Sequence, residues 1–166
     1  MTPAAAQARA RELFLDEANT YGCAETVFIV LKEAFELPAA DDASAAMALN
    51  GGLAYSGGAC GAITGAALAV GQLAARRSHD HRAAKSAARQ VIAGLMADFT
   101  SRFGSTACRE LTGVDLATEA GHRQFIESGA WRDGCMRQIE WVVTRLAPLA
   151  GQGEWKMAVS RGSAPG

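Results

Sequence analysis

One run of 33 residues, from Ala43 to Ala75, carries no charged side chain. A run of this length could cross a bilayer, which takes about 20 apolar residues. Its composition argues against a membrane span, because the part after Gly57 is mostly Gly and Ala, which contribute little transfer free energy. Gly57, Gly61 and Gly65 recur every fourth residue, a spacing that lets two helices approach closely. The run therefore predicts a Gly-rich loop followed by a tightly packed central helix.

Helical periodicity extends over most of the chain, and no segment alternates as a half-buried strand would. The clearest pattern begins at Ser78 and ends at Gly104. Between them a basic stripe, Arg82, Lys85 and Arg89, is followed by an apolar stripe that includes Ile92, Leu95 and Phe99. The patterns together predict an all-α fold, an irregular bundle of about five main helices.

The length and the charge balance limit the organisation and the partners. A chain of 166 residues can bury about two thirds of its surface as one domain, which we expect over residues 1–150. Residues 151–166 contain few apolar side chains, which predicts a mobile C-terminal tail. The net charge is -1, so the chain lacks the basic surface that binding to nucleic acid or to anionic lipid requires.

The amino terminus bears on how the cysteines are interpreted. Its first residues lead directly into Arg11 and Glu12, with no apolar region after a basic start, so we expect no secretory signal and a cytoplasmic protein. In the reducing cytoplasm, cysteines act more often as reactive, metal-binding or packing residues than as structural disulfides.

Four cysteines are present, Cys23, Cys60, Cys108 and Cys135. They form no C-x-x-C pair, which counts against a thioredoxin-type dithiol and a zinc knuckle, and the missing C-x-x-C-H motif counts against covalently attached haem. Each cysteine lies near a predicted helix N-terminus, where free N–H groups favour a thiolate and lower the thiol pKa. Any site that the four share must be assembled by the fold.

Three roles for these cysteines stay open on the residues alone. They could ligate zinc or an iron–sulfur cluster, they could form a redox thiol site, or they could be small packing residues of the core. In the last case the chain would be a non-catalytic helical interaction module, in which the Gly-x-x-x-Gly face joins two protomers into a homodimer.

The segments around the cysteines form a characteristic series. In chain order they are Gly22-Cys23-Ala24-Glu25, Gly57-Gly58-Ala59-Cys60-Gly61-Ala62-Ile63-Thr64-Gly65-Ala66, Phe103-Gly104-Ser105 leading to Cys108, Leu111-Thr112-Gly113, and Gly134-Cys135. The series resembles the C_GCAxxG_C_C family of redox-active proteins, and the likeness extends from about Asn19 to Leu146. Cys60 is followed by Gly61 before Ala62, so the match is one of pattern and not of the literal string.

The resemblance implies a small, mostly helical domain with a redox or metal-binding role, related to the non-haem domain of split-Soret cytochromes. It implies Cys23, Cys60, Cys108 and Cys135 as catalytic residues or as ligands of an iron–sulfur cluster or zinc. It also implies that Gly57, Gly58, Gly61 and Gly65 allow a cofactor to approach the main chain. The expected partner is a redox protein or a small-molecule electron donor or acceptor, and whether the protein is an enzyme stays open.

Overall fold

Eight α-helices account for most of the computed structural model, which describes residues 1–162. They are α1 (Pro3–Phe14), α2 (Cys23–Ala34), α3 (Gly61–Arg77), α4 (His81–Phe103), α5 (Cys108–Thr112), α6 (Glu119–Glu127), α7 (Met136–Leu146) and α8 (Gln152–Gly162). Two 3-10 segments, Ser44–Leu49 and Ala147–Ala150, and a π turn, Trp131–Cys135, connect them. Within residues 1–162 there is no β-strand, and the prediction of an all-α single domain is confirmed.

Helix α2 is the most deeply buried helix, and it packs against α3, α1 and α7. All of its residues from Ala24 to Lys32 are buried, because the run Val27–Leu31 is apolar on every side of the helix. Burying each large aliphatic or aromatic side chain of this run stabilises the fold by roughly 1.5–3 kcal/mol. The predicted central helix, α3, lies directly beside α2.

Helix α4 begins and ends where the sequence predicts. The carboxylate of Asp80 accepts hydrogen bonds from the N–H groups of Arg82 and Ala83, which have no partner within the helix. At the other end Gly104 adopts a left-handed conformation, with φ 86°, that terminates the helix. Both signals are local, which explains why the sequence alone locates them.

The Gly-x-x-x-Gly face of α3 lies against α2 of the same chain. A Cβ at Gly65 would come 2.2 Å from the carbonyl oxygen of Ala24. The expectation that this face joins two protomers is therefore wrong, since α2 already occupies it; a homodimer formed through another surface stays a prediction. Among residues 1–162, no helix has both the length and the hydropathy needed to cross a membrane.

The C-terminal segment differs from the predicted tail, because residues 152–162 form α8 and pack against α4. Trp155 is 8% exposed, and the guanidinium of Arg77 lies 5.3 Å from its ring centroid. One large aromatic side chain thus anchors a segment that is otherwise poor in apolar residues. The mobility of this segment stays a prediction, and residues 163–166 lie outside the described residues.

Candidate functional site

Three of the four cysteines lie at helix N-termini, as predicted. Cys23 is the first residue of α2, Cys60 immediately precedes α3, and Cys108 is the first residue of α5. Cys135 differs: it ends the π turn that runs directly into α7, and its own φ and ψ of -64° and -36° are helical. Cys135 therefore lies next to the start of α7, as predicted, but the helical turn before it means that this start is not a free helix N-terminus.

A short backbone pairing joins the segments that carry Cys60 and Cys108. Ala59 and Ala107 form an isolated antiparallel bridge. The N–H of Cys60 donates to the carbonyl of Thr106 at 2.8 Å, and the N–H of Cys108 donates to the carbonyl of Gly58 at 2.6 Å. Cys60 is thus a diagonal neighbour of Cys108 on one face of the pairing, at a Cα separation of about 7–8 Å. The pairing brings two thiols together that are far apart in the sequence.

The sulfur of Cys23 packs against the start of α3. A Cβ at Gly61 would lie 2.3 Å from Sγ of Cys23, so the missing side chain at position 61 leaves the space that this sulfur needs. Sγ also donates a hydrogen bond to Oδ1 of Asn50 at 3.8 Å. Because Gly61 adjoins Cys60, this contact brings the thiol of Cys23 beside the segment that carries Cys60.

All four cysteines are free thiols, and they interact electrostatically as one cluster. A negative charge at Cys23 raises the pKa of each of the other three thiols, and Cys135 also responds to charges at Cys60 and Cys108. Cys23 is half-buried, whereas the other three are buried. We call these four residues the thiol cluster; Cys23 is the one residue of it that is not fully buried, although its sulfur is enclosed by the surrounding chain.

Burial raises the pKa of every thiol in the cluster. It raises the pKa of Cys60 to about 12 and that of Cys108 to about 11, and it raises the pKa of Cys23 and Cys135 as well. The expected lowering at helix N-termini is therefore wrong, because the cost of removing a thiolate from water exceeds the stabilisation by the helix ends. At neutral pH all four side chains are protonated thiols.

Among the four thiols, Cys23 has the most interactions that oppose the effect of burial on its pKa. The backbone N–H groups of Gly51, Ala24 and Gly61 act on its sulfur and lower its pKa, against the larger effect of burial. Ala24 belongs to the first turn of α2 and Gly61 to that of α3, so two helix N-termini meet at this sulfur. A thiolate formed at Cys23 would be stabilised by these donors.

The thiol cluster lacks the convergence of ligands that a metal centre requires. Structural zinc and iron–sulfur clusters are held by several thiolates that converge on the metal. Nowhere in residues 1–162 do three His, Cys, Asp or Glu side chains converge closely enough to hold a metal ion. In this arrangement the cysteines do not fit zinc or an iron–sulfur cluster, and the expectation of a metal centre stays a prediction.

The four glycines expected beside a cofactor contact atoms of the chain itself. A Cβ at Gly57 would lie 2.9 Å from Cβ of Arg109, and a Cβ at Gly58 would lie 2.9 Å from the carbonyl oxygen of Gly52. Gly61 and Gly65 adjoin α2. In this structure the glycines serve the close packing of backbone segments, which is a role that the sequence pattern also allows.

The Gly-rich loop (residues 51–58) has an unusual backbone. Leu53, Ala54 and Tyr55 have positive φ angles of 71°, 47° and 60°, a conformation that costs a non-Gly residue roughly 1–3 kcal/mol. The loop is closed by hydrogen bonds from Gly57 N–H to Gly51 at 3.1 Å and from Gly58 N–H to Gly52 at 3.0 Å. This closure holds the N–H of Gly51 near the sulfur of Cys23.

Sequence reasoning missed the polar side chains that contact the thiols. Asn50 accepts from Cys23, and Oε1 of Gln138 accepts from the thiol of Cys60 at 3.6 Å. Both residues are buried, with 9% and 6% exposure. A buried amide on an otherwise apolar helix face is a signal for Gln138, which lies among Met136, Ile139 and Val142. No sequence pattern indicates that Asn50 contacts a thiol.

Comparison with known proteins identifies the family. A family model described as "Putative redox-active protein (C_GCAxxG_C_C)" matches residues 21–149, which include all four cysteines and the Gly-rich loop. Neither a curated protein nor a solved structure matches the chain. The resemblance found in the cysteine segments is thus confirmed over most of the chain, which belongs to the C_GCAxxG_C_C family.

Proposed function

We propose that the protein is a thiol–disulfide redox protein in which Cys23 and Cys60 alternate between two thiols and one disulfide. The observation that carries this proposal is the packing of Cys23 Sγ against Gly61, next to Cys60, inside a cluster of free thiols. Cys23 acts as the attacking sulfur because it is the least buried residue of the cluster and its sulfur receives the N–H groups of two helix starts.

The oxidant is a disulfide, either on a partner protein or in a small molecule. After its proton passes to solvent, the thiolate of Cys23 attacks one sulfur of that disulfide, and the other sulfur leaves as a thiolate. Cys60 then loses its proton and attacks Sγ of Cys23, which releases the second thiol. One disulfide of the oxidant becomes two thiols, and the protein gains one disulfide and loses two electrons and two protons. The reverse sequence reduces the protein.

Burial determines how this chemistry is controlled. Cys60 lies 4% exposed and stays protonated at neutral pH, so it does not react with external disulfides directly. It becomes reactive only toward a sulfur already bound inside the cluster, such as the mixed disulfide at Cys23. In a reducing cytoplasm the resting form is the dithiol, in agreement with the four free thiols.

The sequence allows a direct test, because trypsin places each cysteine on a different peptide: 12–32, 33–76, 103–109 and 133–137. The protein is equilibrated at a series of glutathione ratios, the remaining thiols are alkylated, and the digest is analysed by mass spectrometry. We expect peptides 12–32 and 33–76 to become linked by a disulfide as the ratio becomes oxidising, and to separate when it becomes reducing. A Cys23→Ser variant should give no linked peptide.

Two other results would count against the proposal. If at every glutathione ratio all four cysteines remain free thiols that are alkylated only after denaturation, the thiols do not cycle. If the link forms between peptides other than 12–32 and 33–76, for example between Cys60 and Cys108, the pair is wrong although thiol chemistry is present. A Cys135→Ser variant provides the matched control, since it alters a member of the cluster outside the proposed pair.

A packing role for the cysteines is the second candidate. Cys60, Cys108 and Cys135 are between 4% and 8% exposed and pack within the hydrophobic core, where a free cysteine often acts as a small apolar residue. Under this alternative the chain is an interaction module, and Cys60→Ala and Cys108→Ala change the free energy of unfolding without any dependence on the glutathione ratio.

A further inference from the structure

The side-chain amide of Asn50 is held in a single orientation. Its Oδ1 accepts a hydrogen bond from the N–H of Ala24 at 2.9 Å, and its Nδ2 donates to Oε2 of Glu25 at 2.8 Å and to the carbonyl of Met47 at 3.1 Å. Reversing the amide would set a donor against the N–H of Ala24 and an acceptor against both oxygens. These three contacts therefore direct Oδ1, and not Nδ2, toward the thiol of Cys23.

Glu25 holds the amide nitrogen of Asn50 in place from the side opposite Cys23. The same oxygen, Oε2, also accepts the N–H of Gly22 at 2.9 Å, so the side chain of Glu25 is tied to the start of its own helix. The result is a continuous chain of hydrogen bonds from the Gly22 backbone through Glu25 and Asn50 to the sulfur of Cys23. Asn50 is 9% exposed and is the only polar side chain hydrogen-bonded to this sulfur among the described residues.

We propose that Asn50 controls the reactivity of Cys23, because its Oδ1 accepts the S–H hydrogen bond and holds the attacking sulfur in its protonated, unreactive form. The proposal rests on the assignment of Cys23 as the attacking sulfur. It adds a restraining residue to the proposed reaction: a carbonyl oxygen stabilises S–H as a donor and repels the thiolate that replaces it. Asn50 therefore opposes the ionisation of Cys23 that the reaction with the oxidant requires.

Asn50 also competes with the thiolate for a donor. The N–H of Ala24 donates to Oδ1 of Asn50, although it also acts on the sulfur of Cys23 and lowers its pKa. Removing Oδ1 would free this N–H for the thiolate. The titratable groups around Cys23 are the thiols of Cys60, Cys108 and Cys135, the phenol of Tyr55, and the carboxylate of Glu25 behind Asn50. A substitution at position 50 leaves all of them in place, and it removes the hydrogen bond that Glu25 accepts from Nδ2 of Asn50.

Site-resolved alkylation tests the proposal on the full, reduced chain. Iodoacetamide is the probe, and its rate of reaction at Cys23 is read on peptide 12–32 from about pH 7 to about pH 11, a range that includes the ordinary thiol pKa. Asn50→Leu removes the acceptor at similar side-chain volume. We expect it to lower the midpoint of the profile by roughly half to one pH unit, so that at pH values below the midpoint Cys23 reacts about three to ten times faster than in the parent. Gln138→Leu is the matched control, because it removes the acceptor of Cys60 and should leave the Cys23 midpoint unchanged.

A second variant separates control of the proton from simple opening of the structure. Asn50→Asp keeps an oxygen beside the sulfur and adds an acidic group, so its midpoint should lie at or above that of the parent. A disrupted loop would instead expose Cys23 and lower the midpoint in both variants. The proposal is overturned if Asn50→Leu fails to lower the midpoint, or if Asn50→Asp lowers it; if Asn50→Leu does not fold, the result for Asn50→Asp decides.

The outcome is independent of the glutathione experiment. Should no disulfide form at any glutathione ratio while Asn50→Leu lowers the Cys23 midpoint and Asn50→Asp does not, the proposed redox cycle fails and the control by Asn50 holds. Should the disulfide form while the midpoint stays constant, the cycle holds and the role of Asn50 fails.

Discussion

The sulfur of Cys23 occupies the space beside Gly61 that a side chain would otherwise fill, at 2.3 Å from the position of a Cβ there. This contact joins the first turns of α2 and α3, and it brings Cys23 to the segment that carries Cys60. Both the packing of the two helices and the geometry of the proposed thiol pair depend on the absence of one methyl group.

Replacing Gly61 with Ala should destabilise the protein. The added methyl group would meet the sulfur of Cys23 and would lie 3.1 Å from the backbone nitrogen of Ala24, which cannot move without shifting α2. We expect a loss of about 2 kcal/mol or more in the free energy of unfolding, measured by urea denaturation.

Gly71→Ala is the matched control for this substitution. Gly71 lies in the same helix, and a Cβ there meets no atom within 4 Å. It should stabilise the protein by roughly 0.5–1 kcal/mol, because Ala favours a helix more than Gly does. Equal effects at the two positions would show that Cys23 does not pack against Gly61 as described.

Stability should decrease as the pH rises above about 8.5, the ordinary thiol pKa. Burial raises the pKa of Cys60 to about 12 and that of Cys108 to about 11, so between pH 8.5 and pH 11 the unfolded chain loses protons that the folded chain retains. The thiols therefore stabilise the fold fully below the unfolded pKa, and this contribution falls by up to about 1.4 kcal/mol per pH unit for each thiol.

The measurement compares urea unfolding of the reduced parent and of Cys60→Ala at several pH values. Other titrating groups contribute equally to both proteins, so the difference in slope isolates Cys60. The parent should lose stability more steeply than the variant. Identical slopes would mean that Cys60 ionises as readily in the folded state as in the unfolded state.

Anaerobic purification distinguishes the thiol proposal from a metal centre. If the four cysteines act as thiols, as proposed, the protein should be colourless, without stoichiometric iron or zinc, and should have four thiols titratable after denaturation. Absorption spectra and elemental analysis provide the measurement. Visible charge-transfer bands together with bound iron would contradict the thiol cycle and would require the cysteine segments to rearrange around the metal.

Trp155→Ala should detach α8 from the bundle. Trp155 is 8% exposed, and its ring lies under the guanidinium of Arg77, so its truncation leaves a cavity between α8 and α4. We expect a loss of about 3 kcal/mol in the free energy of unfolding. The control is Met157→Ala, since Met157 lies on the same helix and is 48% exposed. Similar stability of Trp155→Ala and the parent would instead support the mobile tail expected from the sequence.

Features set by interactions between residues close in the chain could be predicted from the sequence, and features set by contacts between distant residues could not. Helix α4 was located correctly because Asp80 and Gly104 act on backbone groups within one turn of themselves. The helix α8 was not foreseen, because Trp155 is buried through contacts such as that with Arg77, a residue distant in the chain. For the thiols, the helix ends were mostly placed correctly, but the direction of the pKa shifts was not, since burial is set by neighbours from other helices.

The sequence by itself determined the helical class, the family and the four cysteines, because periodicity and local segments carry that information. Tertiary structure alone decided that Cys23 is the least buried of the four cysteine residues, that the glycine face of α3 closes on α2, and that Asn50 directs an acceptor toward Cys23. The physical reason is that accessibility, desolvation and amide orientation depend on which distant segments pack together, and the spacing of residues along the chain does not specify those contacts.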